Sequence, residues 1–297
     1  MTRSTWTLIA ILVLLIGAAY IVLQRPGEHA STDTSGVLVS FDSAAVDRIE
    51  LHSASGPVIL HKDNGAWIID TPIHFRADQS VVGSLIANAR SIPVKNVVSS
   101  NPSRHALFKV DSTGTAVHLY AGNSLLAAFY VGKPSSSFSE TYVRKEGSND
   151  VDLADGMFGY MYSRSPNEWR DKTILGLKEG EIQTVRFTYG DTTFTVSRAD
   201  SGWTVDGQKA GGAVDRVMAA LDSFFADGFI DTAFTPAPTS SATLTVNGID
   251  LRFYKQASNY AVQNSLSPQW YTVNDWKVQG VLKRKNELLP TTVSEAK

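Results

Sequence analysis

The stretch KDNGAWIID at 62–70 returns as RADSGWTVD at 198–206, and the fold follows from that echo. Its two tryptophans, Trp67 and Trp203, are 136 residues apart. The same shift carries Val46 to Ile182, Ile49 to Val185 and Leu51 to Phe187. It also carries Leu60 to Val196, Asp70 to Asp206 and Leu85 to Leu221. About forty positions align in this way without a gap, which marks an internal duplication.

Each copy has the same layout. RIELHS at 48–53 and TVRFTYG at 184–190 alternate apolar and polar residues, as do PVILHKD at 57–63 and TFTVSRA at 193–199. Period two is the mark of a half-buried strand. DNG at 63–65 and DSG at 200–202 are turn signals, because Asn, Asp and Gly tolerate positive φ. The period then becomes helical. Asp78 is a candidate N-cap ahead of Val81, Val82, Leu85, Ile86, Ala89 and Ile92; Val214, Val217, Met218, Leu221, Phe224 and Phe225 form the equivalent stripe. Trp67 and Trp203 are expected to pin each helix to its sheet. Hairpins follow at 116–132 and 242–256, then strands at 140–145 and 269–274, then helical stretches around 152–162 and 275–284.

The N-terminus differs from everything after it. WTLIAILVLLIGAAYIVL at 6–23 runs for 18 residues without a charge. As a helix it would be about 27 Å long, enough for a thin bilayer. A cleaved signal peptide is the rival reading, but the run exceeds the usual apolar core and QRPGEHAST behind it holds no A-x-A-like site. Residues 1–24 are therefore read as a cytoplasmic N-terminus and signal-anchor in contact with the lipid bilayer through 6–23. Gly17 and Ala18, with Ala19, make a small-residue patch that permits close helix contact or is incidental in a lipid-facing helix. RPGEHASTDTSG at 25–36 reads as a flexible tether.

The expected class is α+β: a single N-terminal transmembrane helix followed by two tandem repeated lobes of antiparallel sheet with packed helices. The lobes are placed at 37–176 and 180–290, each built of two sheet-plus-helix pieces, with a frayed tail at 291–297. The lobes are expected in the periplasm or outside the cell, the anchor in the cytoplasmic membrane.

Composition narrows the chemistry. A net charge of −2 supplies none of the clustered cations that nucleic-acid binding needs. The absence of cysteine rules out disulfides, thiolate metal centres and cysteine nucleophiles. The six histidines, His29, His52, His61, His74, His105 and His118, form no H-x-x-H or H-E-x-x-H motif, although His52 and His61 lie on consecutive strands. NDVDLADG at 149–156 departs from a calcium loop: Asp155 is out of step and Met161 stands where the closing Glu belongs. PSSSFSE at 134–140 is serine-rich without a neighbouring base. No catalytic, cofactor-binding or metal residue is assigned.

VGKPSSSFSETYVRK at 131–145 followed by EWRDK at 168–172, with Ile174 and Leu175 behind it, and more loosely GAWIIDTP at 65–72, resembles the bacterial family known as domain of unknown function 4340. The resemblance implies a membrane-anchored extracytoplasmic protein, often encoded beside ABC-type transporter components like those of gliding-motility systems. It brings no catalytic residue. Trp169, Arg170 and Asp171 are read as filling and bonding the join between lobes, or as a recognition site for a partner. The expected function is a non-enzymatic accessory or scaffold subunit that contacts other membrane or envelope proteins, possible assemblies being an ABC-type transporter or another multisubunit complex. The alternative is a ligand-binding module for glycan, lipid or peptide in a cleft between the lobes.

Overall fold

A computed structural model describes residues 33–232, 234–236 and 239–290. The expected membrane helix, Gly17 and Ala18 lie outside the described residues. Among those described, no helix is long and apolar enough to cross a membrane. The chain divides into two compact units, with the boundary between Asp171 and Lys172 rather than at 176.

The first unit opens with β1 (Asp33–Val37), β2 (Arg48–Ser53), β3 (Gly56–Asp63), β4 (Ala66–Thr71) and the short β5 (Phe75–Arg76). Helix α1 (Gln79–Arg90) follows, then β6 (Pro93–Ser99) and the single turn α2 (His105–Phe108). The unit continues with β7 (Thr115–Ala121), β8 (Ser124–Pro134), β9 (Glu140–Lys145), β10 (Val151–Asp155) and the turn α3 (Gly159–Tyr162). These strands make one ten-stranded sheet in the order β1-β6-β10-β9-β8-β7-β2-β3-β4-β5, with every neighbouring pair antiparallel.

The second unit repeats that plan. Its strands are β11 (Thr184–Thr188), β12 (Thr193–Ala199), β13 (Gly202–Val205) and β14 (Gln208–Lys209), followed by helix α4 (Ala213–Asp222). Then come β15 (Gly228–Ile230), β16 (Ala242–Val246), β17 (Ile249–Lys255), β18 (Asn259–Asn264), β19 (Trp270–Asn274), α5 (Asp275–Val281) and α6 (Lys285–Leu288). The nine-stranded order β14-β13-β12-β11-β16-β17-β18-β19-β15 is that of the first unit without β1.

Three expectations are corrected here. Residues 33–36 of the expected tether are part of strand β1, paired to β6, so the first lobe begins before residue 37. The two sheet-plus-helix pieces of each lobe are halves of one continuous sheet, joined where β2 pairs β7 and where β11 pairs β16. The join was hidden because the partners are distant in sequence. The expected helical stretch at 152–162 is instead strand β10, with only the turn α3 helical. NDVDLADG is thus largely a sheet strand, paired to β9 and β6.

One face of each sheet builds the core, as the alternation requires. Ile49, Leu51, Leu60, Ile69, Val117, Leu119 and Phe129 are buried with Val82, Leu85, Ile86 and Ala89 of α1. Val185, Phe187, Val196, Leu244 and Phe253 are buried with Val214, Val217, Met218 and Leu221 of α4. Phe225 lies beyond the end of α4 and is exposed, unlike the rest of the expected stripe. The Asp78 side chain caps α1 by accepting from the Ser80 and Val81 amides. α4 begins after Gly212, which has no such cap. Asn64 and Gly65 both take positive φ in the β3–β4 turn, as do Asn247 and Gly248 in β16–β17. Positive φ at both central residues suits the twist of a two-residue hairpin.

Candidate functional site

The tryptophans that reveal the duplication are structural in both units. Trp67 is buried, and its backbone is tied to the start of α1: its amide donates to Gln79 Oε1 at 2.8 Å, and Gln79 Nε2 donates back to its carbonyl at 3.1 Å. Trp203 is half-buried against the second core, with the Arg198 guanidinium 5.2 Å from its ring centre.

Trp169, Arg170 and Asp171 of the EWRDK run belong to the first unit, whose boundary falls directly after them. Trp169 is fully buried within the first core. Its carbonyl accepts from the amide of Asp78 at 2.8 Å, and Arg170 forms an antiparallel bridge with Ala77. The Asp171 amide donates to the Arg76 carbonyl, and its carboxylate lies 3.3 Å from Arg76 Nε. Arg170 is buried too, stacked over Phe75 at 4.3 Å and donating to Asn167 Oδ1. The segment extends the sheet edge beyond β5 and blunts it against stray pairing. Ile174 and Leu175 belong to the second core.

The VGK and TYVR residues build one rim of the first unit. A Cβ on Gly132 would sit 2.2 Å from the Phe108 carbonyl oxygen, so only glycine lets α2 lie against β8. Arg144 is buried and donates to the carbonyls of Val110 and Ser148, both at 2.8 Å. The Thr141 hydroxyl donates to the Gly156 carbonyl, and the Gly156 amide donates to Ser139, so the β8–β9 loop and the chain after β10 are stitched together.

That stitching presents three apolar side chains. Phe138 and Tyr160 are each 66% exposed, and Met157 is 51% exposed. Phe138 takes φ +55°, a left-handed conformation that a bulky residue adopts at a cost of about 1–2 kcal/mol. A network holds it there. The Phe138 amide donates to Ser135, while the hydroxyls of Ser135, Ser137 and Ser139 form a chain ending on the Glu140 carboxylate. Lys95 bridges Glu140 at 3.1 Å and Asp155 at 3.0 Å. Its bond to Lys95 holds the Glu140 carboxyl below the usual range, and the bonds to Asp155 and then Glu140 raise the Lys95 ammonium.

The sheet face turned away from the core carries a second arrangement. Register pairs Glu50 on β2 with His118 on β7, His118 with Ala128 on β8, and His52 with Ala116. Glu50, His52 and His118 each offer a ligand atom within 4.8 Å of the others. His118 Nε2 lies 3.0 Å from Glu146 Oε2, and the Tyr130 hydroxyl donates to the other Glu146 oxygen at 3.4 Å. Arg48 donates to Glu50 Oε1 at 2.8 Å and lies over the Tyr120 ring. His52 and His61 are not brought together: His52 faces Pro57, His61 faces Arg48, and His61 bonds Asp70. The β2–β7 pairing spans the whole first half of the unit, so no short stretch of sequence links His52 or Glu50 to His118. The alternation Arg48, Glu50, His52 was the available signal for a shared polar face.

The family model described as "Domain of unknown function (DUF4340)" matches residues 67–246, more than half of the chain. Among curated proteins, the chain is 26% identical over 156 residues to one described as an uncharacterized isomerase of Saccharomyces cerevisiae. That match covers 52% of this chain and 39% of the yeast protein. The chain thus spans well under half the length of that relative. No solved structure matches.

Proposed function

The chain belongs to the domain of unknown function 4340 family, a description that assigns no reaction, and we propose that it works by contact, as a membrane-anchored extracytoplasmic accessory subunit of a multiprotein membrane complex. The observation that carries this reading is Phe138: a large apolar side chain, exposed, yet fixed in a left-handed conformation by the network from Ser135 to Glu140 and Lys95. Tolerated strain at an exposed aromatic marks a residue whose position matters beyond folding. Exposed aromatics are among the residues that most often anchor protein interfaces. Met157 and Tyr160 are also exposed on the chain that follows Gly156, which is bonded to this loop, and the proposed partner presents an apolar pocket to this rim. The ABC-type transporter implied by the resemblance is the first assembly to test.

The test is co-purification of the full-length chain from its native membrane in mild detergent, comparing wild type with Phe138→Ser. A hot-spot loss of about 2 kcal/mol would weaken the complex about thirty-fold and deplete the partner. Equal partner recovery with the variant, or no stoichiometric partner with wild type, contradicts the reading.

A further inference from the structure

We propose that Glu50, His52 and His118 form a binding site for a zinc-class divalent cation on the open face of the first sheet. The three residues come from two neighbouring strands in fixed register, so their placement is set by the sheet's hydrogen bonds rather than by a loop. Two imidazoles and one carboxylate are donors that zinc and the other late first-row cations favour over calcium or magnesium. In a tetrahedral site with metal–ligand bonds near 2.0–2.1 Å, ligand atoms sit about 3.4 Å apart. The present spacing, within 4.8 Å, is wider than that, so a bound cation would draw the three donors together.

The surroundings fit the same reading. Ligating histidines usually keep a carboxylate on the second ring nitrogen, and Glu146 already holds His118 at 3.0 Å. Ala116 and Ala128 flank the histidines across the ladder, so no large side chain on those positions fills the space above them. Three protein ligands leave a fourth position for water or for a group supplied by a partner. Arg48 engages Glu50 Oε1, while among the described residues Glu50 Oε2 has only a long 3.4 Å contact with the Tyr120 hydroxyl, and that oxygen is the one a cation would take.

The duplication supplies an internal comparison. Equivalent ladder positions in the second unit hold Arg186 for Glu50, Thr188 for His52, Thr245 for His118 and Asp250 for Ala128. There Thr245 bonds Asp250 at 2.8 Å and no imidazole is present. The shared sheet therefore does not require histidine at these positions.

The full, untagged chain, stripped with chelator, is dialysed against zinc alone and its bound metal measured. The expected result is one zinc per chain, weakened at least tenfold in the His52→Ala, His118→Ala double variant and retained in His61→Ala, His74→Ala. The wild-type chain gives a second readout that needs no variant to fold: zinc should shift the ring resonances of His52 and His118 and leave those of His61 and His74 in place. Absence of bound zinc, unchanged binding in the first double variant, or shifts confined to other histidines would overturn the proposal.

Discussion

Where the first unit pairs Glu50 with His118, the second pairs Arg186 with Thr245; where the first keeps Gly132, the ladder of the second places Tyr254. The β8–β9 connection in the first unit spans 135–139 and carries Phe138, whereas β17 and β18 are joined by only 256–258, closed by a Gln256-to-Asn259 hydrogen bond. The buried positions tell the opposite story, since Ile49 and Val185, Leu51 and Phe187, and Leu85 and Leu221 are all buried. A duplicated fold keeps its core because apolar packing is unforgiving of volume and polarity. Its exposed face and rims are free to diverge. That divergence is why the proposed contact and cation sites are placed on the first unit, although the second exposes Leu266 and Trp276.

The largest way to break this comparison is Trp169→Ala. Removing a fully buried tryptophan should destabilise the first unit by about 3–5 kcal/mol. Followed by denaturant titration with probes in each unit, the early transition should belong to the first. A loss confined to the second unit would show that EWRDK had been assigned to the wrong core.

Asp78→Ala sharpens the comparison between α1, which is capped, and α4, which starts at an uncapped glycine. The expected loss is about 1 kcal/mol, localised to α1 by hydrogen exchange. No change in α1 protection would mean that the backbone bond to Trp169, not the side chain, fixes the helix start.

The smallest effect is expected at Asp152 on β10. Burial, with the Asp150 charge nearby, pushes its carboxyl up to about 6. A folded-state pKa above the unfolded value means the folded chain holds the proton more tightly, so this group's contribution to stability falls as pH rises from about 4 to about 6. Asp152→Asn should match wild type near pH 4 and exceed it above pH 6, by no more than about 1 kcal/mol given the partial exposure. A parallel pair of pH–stability curves would contradict the assignment.

Much of the framework was legible from the chain because its signals are local and repeated. Trp67 and Trp203 exposed the duplication, period-two alternation marked β2, β3, β11 and β12, and Asp78 marked the start of α1. What stayed hidden depends on contacts distant in sequence. The pairing of β2 with β7 unites each half into one sheet and brings Glu50 to His118, and neither fact leaves a pattern in any short window. Acidic residues made 151–155 look like the start of a helix, but pairing on both sides by β6 and β9 overrides that local preference. The VGK motif was recognisable as a motif, yet its reason, the Phe108 carbonyl pressed against Gly132, is visible only in three dimensions.

The most direct test of contact through the first unit is site-specific photo-cross-linking in the native membrane, with the reactive group at position 138 or at Ala257 in the equivalent connection of the second unit. One dominant adduct to a membrane-complex protein is expected from position 138 and none from position 257. Equal labelling from both positions, or adducts from 257 alone, would contradict contact through the first unit.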